Sequence, residues 1–421
     1  MAQSNPQNGP PGLFDRIQNM IQGQEMSFAP GEDNRLPLQE AAQLALQVEF
    51  TTIPPYLTGL YSISQPDSTA YQLLRSVVME EMLHFNLAAN ILVSIGGLPK
   101  CTGPFVPRYP GYLPQANPNT TPFVGLYRAS TDVFEHVFAA IETPAPAHAP
   151  AQGNNYSTIA QLYDALLDGM KAYVKKYGEA ALFTPNPDGR QRTNIYLGKF
   201  GGMPFEITNL ESAKEAITEI VEQGEGSVPS GEPLVPLEPW STYNAYGTRT
   251  DGTYGPIIGV PFEMSHFTKF RKVALDTANF PSTYPIISNA RPQDLSKPEA
   301  VKKAKMFDVA YSVMLNALQN SFRKPPHKGA PDPFFALVLP LMHQVMPNLA
   351  RSLMTTAAHA HGDSSVGPNA APMFLYQPSA KLADLTANLR RAVDAADPDE
   401  QEILGSALNA VLDILAATQP A

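Results

Sequence analysis

Val77-Val78-Met79-Glu80-Glu81-Met82-Leu83-His84-Phe85 sets a carboxylate and an imidazole three residues apart inside an apolar run. On an α-helix, positions i and i+3 share a face, so Glu81 and His84 project together and can chelate one metal ion. Leu74, Val77, Val78, Phe85 and Ala88 place Glu81 on an apolar stripe. Glu80 is turned away from that stripe by about 100° on ideal helix geometry, and is expected either at the surface or behind a ligand. The same shape returns in Glu263-Met264-Ser265-His266-Phe267, where Phe267 and Phe270 share the stripe of Glu263 and His266.

In carboxylate-bridged di-iron bundles, two helices each supply a Glu-x-x-His pair and two others each supply a lone Glu. Glu49 suits one lone position, because Ala42, Ala45, Leu46, Ile53 and Tyr56 turn its face inward. A buried carboxylate without a partner is costly, so a charged partner is expected there. Glu142 is a candidate for the other position, on a stripe with Phe134, Phe138 and Ala139 at a helix end; Gln161 and Asp164 on the next helix are the alternatives. A donor set of hard oxygens and imidazoles favours iron, with manganese as its rival, over a thiolate-seeking metal; zinc competes on affinity alone.

Around these residues the pattern is helical. A long helix is expected over 38–63, kinked just after Phe50 because Pro54 and Pro55 remove amide donors. A second runs over 68–95 and stops at Gly96-Gly97-Leu98-Pro99; the short turn between them makes an antiparallel hairpin. Further helices are expected over 130–142, 158–177, 211–223, 261–276, 298–322, 333–356, 380–394 and 399–417, with no strong β-alternation. The chain therefore reads as all-α: residues 1–35 a polar N-terminal extension that packs late or weakly, 36–280 a metal-binding bundle with long Pro/Gly-rich insertions, and 281–421 a C-terminal helical region packed on it. The insertion over 224–260, with Trp240, Tyr243, Tyr246 and Tyr254, precedes Glu263 and is a candidate lid.

Composition narrows the function. Hydrophobic residues make up 43% of the 421, which fits a globular chain, and 42 prolines require long irregular connections. A net charge of −10 argues against nucleic acid or an anionic membrane surface as the main partner. One cysteine, Cys101, excludes an intrachain disulfide framework and suits a reducing compartment. The first residues carry neither a basic nor an apolar signal region, and no run approaches the roughly 20 apolar residues of a spanning helix, so a cytoplasmic protein is expected. His359-Ala360-His361-Gly362-Asp363 reads as a solvated loop, and an axial haem ligand, which needs no motif, leaves His136 and His343 as candidates. No dinucleotide or esterase motif is found.

With these residues in hand, the chain resembles the ferritin-like proteins related to iminophenyl-pyruvate dimer synthase, from violacein and rebeccamycin-type bisindole biosynthesis. The likeness rests on Val48-Glu49-Phe50-Thr51-Thr52-Ile53-Pro54-Pro55-Tyr56-Leu57, on Val77 to His84, on Ile95-Gly96-Gly97-Leu98-Pro99, on Ile141-Glu142-Thr143-Pro144 and on Glu263 to Phe267. It spans roughly 40–275, more loosely to about 376. The resemblance implies a ferritin-like four-helix bundle with Glu49, Glu81, His84, Glu263 and His266 as metal ligands. It also shows a departure: where relatives commonly carry a Glu, Thr158-Ile159-Ala160-Gln161-Leu162-Tyr163 has Gln161, and a neutral amide cannot bridge two cations. The expectation is a non-haem iron oxidoreductase, dinuclear or mononuclear, that activates molecular oxygen to oxidise a small amino-acid-derived or aromatic metabolite. Oxidative coupling of amino-acid imines is the alternative within the family, and non-catalytic iron binding the alternative outside it. Tyr56, Phe85 and Phe267 are candidates to line a substrate pocket, and a homo-oligomer is compatible with the sequence.

Overall fold

A computed structural model describes residues 12–24, 33–143, 155–193, 195, 202–225 and 264–418. Among these the regular structure is helical, with isolated β-bridges and no strand. None of the described helices is long and apolar enough to cross a membrane.

The centre is an antiparallel hairpin of α2 (Leu36–Ser62) and α3 (Thr69–Ser94). Both are buried almost all round, as suits helices packed on every side by others. Ser68 caps α3 by accepting from the Tyr71 amide at 3.3 Å, and the chain leaves the helix through Gly96 at φ +93°. α2 continues through Pro54 and Pro55 rather than breaking there. Pro55 has no N–H to offer the Thr51 carbonyl, and the Tyr109 hydroxyl donates to that oxygen at 2.7 Å instead.

Four helices enclose the hairpin. α4 starts as Thr131–Val133, widens into a π-turn over Phe134–Phe138 and closes as Ala139–Ile141. α5 spans Ile159–Tyr177, α6 Leu210–Gly224 and α7 His266–Leu275. α5 packs on α2 and α6, while α7 packs on α3 and α4. Gly59 of α2 allows the close approach of α4: a Cβ there would stand 2.9 Å from the Phe138 ring. α1 (Leu13–Ile21) lies in the segment expected to pack weakly, yet Phe14 and Ile17 are buried against α5 and α2. Its apolar positions fall on one face, and burying that face outweighs the polar character of the flanking residues.

The C-terminal region contains α8 (Pro298–Ser321), two π-turns (Phe334–Val338 and Leu341–Val345) that lead into α9 (Met346–Met354), then α10 (Leu382–Ala395) and α11 (Pro398–Thr418). α9 packs on α2, and Phe307, Leu341 and Leu349 of this region join the core of the bundle, while Ala300, Leu353, Met354 and Ala370 belong to a second, smaller cluster.

Candidate metal centre

Glu81 and His84 face the interior one turn apart on α3, and His266 reaches them from the first residue of α7. Ligand atoms of the three lie within 4.8 Å of one another, all buried. The imidazoles of His84 and His266 stack with centroids 5.2 Å apart and 22° between planes.

Each ring is fixed from behind. His266 Nε2 donates to Glu80 Oε2 at 2.8 Å, and the Lys269 ammonium holds both oxygens of that carboxylate. His84 Nε2 donates to Gln223 Oε1 at 3.0 Å, and Gln223 Nε2 donates to Glu219 at 2.6 Å, which orients the amide. Both Nδ1 atoms therefore face inward: His266 Nδ1 lies 2.8 Å from Glu81 Oε1 and 3.7 Å from Glu142 Oε1, and His84 Nδ1 lies 3.6 Å from Glu49 Oε2.

The carboxylates are held in a related way. Tyr163 donates to Glu49 Oε1 at 2.7 Å, Thr52 to Glu81 Oε2 at 2.7 Å, and Tyr56 to Glu142 Oε1 at 2.5 Å. Glu49 and Glu81 thus each turn a second oxygen toward an imidazole. Glu142 Oε2 lies against Gly224, where a Cβ would approach to 3.3 Å. Tyr56 packs on Phe138 and Phe270, which close this side of the cluster.

These residues fit a cation. His266 Nδ1 is buried with no hydrogen-bond partner although Glu81 Oε1 is 2.8 Å away, because the direction between them does not suit a hydrogen bond. Two lone-pair atoms turned toward a common point need a positive charge between them. The titration tendencies report the same field. Burial pushes the Glu81 carboxyl up to about 7, and the charge of Glu142 adds to it. For His266, burial opposes a charged ring, but the nearby carboxylates of Glu142, Glu80 and Glu81 outweigh it and raise the imidazole well above its ordinary range. Glu80 behaves differently: burial works against its charge, yet Lys269 and His266 hold it below the usual carboxylate range. The buried positive charge goes to Glu80, leaving Glu49, Glu81 and Glu142 facing the imidazoles.

The sequence expectations divide accordingly. The structure brings Glu49, Glu81, His84, Glu142 and His266 together; Glu263 and residues 226–260 of the candidate lid lie outside the described residues. Helix α7 runs over His266–Leu275, with Ser265 as its extended N-cap (ψ 159°) accepting from the Thr268 amide. Gln161 turns back to its own helix start, accepting from the Ser157 amide at 2.7 Å, and Asp164 is exposed, so neither faces the cluster. Glu80 is not at the surface but 1% exposed, behind His266. His136, His359 and His361 are exposed. Sequence reasoning missed Thr52, Tyr163, Lys269 and Gln223. Thr52 had a signal, one turn beyond Glu49 on the same face; the others depend on helix crossings far apart in the chain.

Comparison with known proteins points the same way as the fold. The ferritin-like family model matches residues 42–274, more than half of the chain. A crystal structure of a ferritin-like protein from Caulobacter vibrioides superposes with a TM-score of 0.52 at 22% identity, covering 81% of this chain and 97% of that one. No curated protein matches. The matched segment contains α2 from residue 42 onward, all of α3, Glu142 and His266, and the chain belongs to the ferritin-like family.

Proposed function

We propose that the protein is a non-haem iron oxidoreductase whose buried site holds two ions and uses molecular oxygen to oxidise a small organic molecule. The supporting observation is the orientation of the two histidines, each tied outward through Nε2 and presenting Nδ1 to a carboxylate oxygen. Such outer hydrogen bonds fix the tautomer and raise ligand basicity. Glu49, Glu81, Glu142, His84 and His266 would hold the metal, with Glu263 added from its place in the sequence motif. Iron bound there would supply the electrons that reduce oxygen.

The chain's own groups do the positioning. Tyr163 and Thr52 occupy one oxygen of Glu49 and of Glu81 and leave the other directed inward, while Tyr56 holds Glu142. Lys269 neutralises Glu80, so Glu80 orients His266 rather than competing for the cation. Tyr56, Phe138 and Phe270 exclude water from one side. The resemblance of residues 48–57 and 77–84 to relatives of iminophenyl-pyruvate dimer synthase supports an amino-acid-derived or aromatic substrate, with oxidative coupling of amino-acid imines as the specific form it suggests.

The test is metal analysis of protein purified anaerobically with ferrous iron, followed by oxygen exposure and an absorption spectrum. About two irons per chain and a new near-ultraviolet band are expected. One iron per chain would reduce the reading to a mononuclear site. Iron bound without oxygen consumption would replace it with iron binding alone, and a metal-free protein would leave only the fold.

A further inference from the structure

A cavity of about 280 Å³ opens between the far end of the α2–α3 hairpin and α9, near the roughly 300–1,000 Å³ usual for small-molecule sites. Its walls are methionine, leucine and valine side chains with Tyr61, Tyr71 and Tyr284. Among the described residues its charged groups are Arg75 from α3 and Arg351 from α9, and no carboxylate lines it. Arg75 is half-buried, and among the described residues it makes no hydrogen bond or ion pair.

That arrangement is unusual. A guanidinium removed from water needs an opposite charge or acceptors, and a protein that offers neither leaves its donors for something else. Burial lowers the affinity of Arg75 for its proton, although Tyr71 works the other way, and the group stays a cation at neutral pH. His343 stands beside it as a neutral ring, pushed down to about 4 by burial and then by the Arg75 charge. The fixed charge inside the cavity is thus one arginine, with exposed Arg351 at its rim.

We infer that this cavity binds a small carboxylic acid with an aromatic body, its carboxylate paired with Arg75 and its ring lodged among the three tyrosines and the methionines. A planar guanidinium matches a carboxylate through two parallel hydrogen bonds. The apolar walls gain by covering a ring, which a free inorganic anion lacks. The inference does not rest on a metal: Arg75 lies nearly two turns before Glu81 on α3 and faces a different side of the helix.

Calorimetric titration of the full chain with 3-phenylpropionate, 3-phenylpropionamide and inorganic phosphate tests it, each with and without EDTA. The acid is expected to saturate one site per chain, unaffected by EDTA, with the amide at least tenfold weaker and phosphate unable to displace the acid. Arg75→Gln should weaken acid binding at least tenfold and abolish the preference over the amide; Arg351→Gln, at an exposed position, should weaken it severalfold. No saturable binding, equal affinity for acid and amide, phosphate competing as an equal, binding lost with EDTA, or an unchanged Arg75→Gln protein would each overturn the inference. Should Arg75→Gln not fold, the acid–amide comparison on the unaltered chain and the Arg351→Gln titration decide it.

Discussion

Glu49 and Phe50 are neighbours in the chain, as are His84 and Phe85, yet each pair divides between two unlike interiors. Glu49 and His84 face the cluster of carboxylates and imidazoles. One residue on, Phe50 and Phe85 meet edge to face at 6.0 Å, and Phe322 from the C-terminal region packs on Phe85 at 6.1 Å. A step of about 100° around each helix separates them. The apolar side is held by ring and aliphatic packing around a small cavity of about 50 Å³ lined by Phe50, Phe85 and Phe334. The polar side stacks two imidazoles among carboxylates and leaves a buried nitrogen without a donor. One interior rests on apolar packing; the other gathers carboxylates and imidazoles whose charges call for protons or metal.

Substitutions on the two sides should therefore behave in opposite ways. The largest change is expected from Glu81→Ala combined with His84→Ala, which should drop bound iron more than tenfold by metal analysis while the far-ultraviolet circular dichroism stays helical. Retention of stoichiometric iron would mean that the cluster is not where metal binds. Phe85→Ala, on the other face, should cost about 3–5 kcal/mol in denaturant unfolding yet keep the metal. Loss of metal with little loss of stability would erase the distinction between the interiors.

Asp308 sharpens the comparison, being a lone carboxyl on the apolar side. Burial pushes it up to about 8, against the Leu375 amide that donates to it. Its folded value lies above the unfolded one near 4, so the folded state holds the extra proton between those values. Stability should fall as pH rises from about 4 to about 8, by at most about 1.4 kcal/mol per pH unit, and level off above. Asp308→Asn should flatten that slope, as urea titrations across the range would show; an identical slope would remove Asp308 as its source. The smallest effect is expected of Tyr109→Phe, which strips the Thr51 carbonyl of its substitute donor. About 1 kcal/mol in thermal or urea unfolding is anticipated, and no change would show that water replaces the hydroxyl.

Much of this was legible in the chain because helices announce themselves locally. The boundaries of α2 and α8 follow from apolar periodicity, those of α3 and α5 also from a serine or threonine cap, and α3 ends at the Gly96-Gly97 stop. Glu49, Glu81 and His84 were readable for the same reason, each lying on a stripe that its own neighbours define. Glu80 was not. Its face follows from where α7 crosses α3, and the lysine that neutralises it is 189 positions away. Gln161, left as an alternative to Glu142, was hard to place because a side chain at the third helical position can serve its own helix end, a local option that competes with any distant site. In the second Glu-x-x-His, Ser265 is itself a helix-start signal, and it caps the helix that carries His266.

The position of His266 at the very beginning of α7 bears on the order in which the cage is assembled. Glu49, Glu81 and His84 sit on one hairpin and can come together as soon as that hairpin closes, a short-range event of the kind that happens early. His266 and Lys269 arrive from a distant part of the chain, and they arrive as a unit, one turn apart on the same short helix. The element that completes the donor set thus carries the ammonium that quiets Glu80. A nascent chain would hold an open half-cage, accessible to ions from solution, until the docking of one ten-residue rod shuts it.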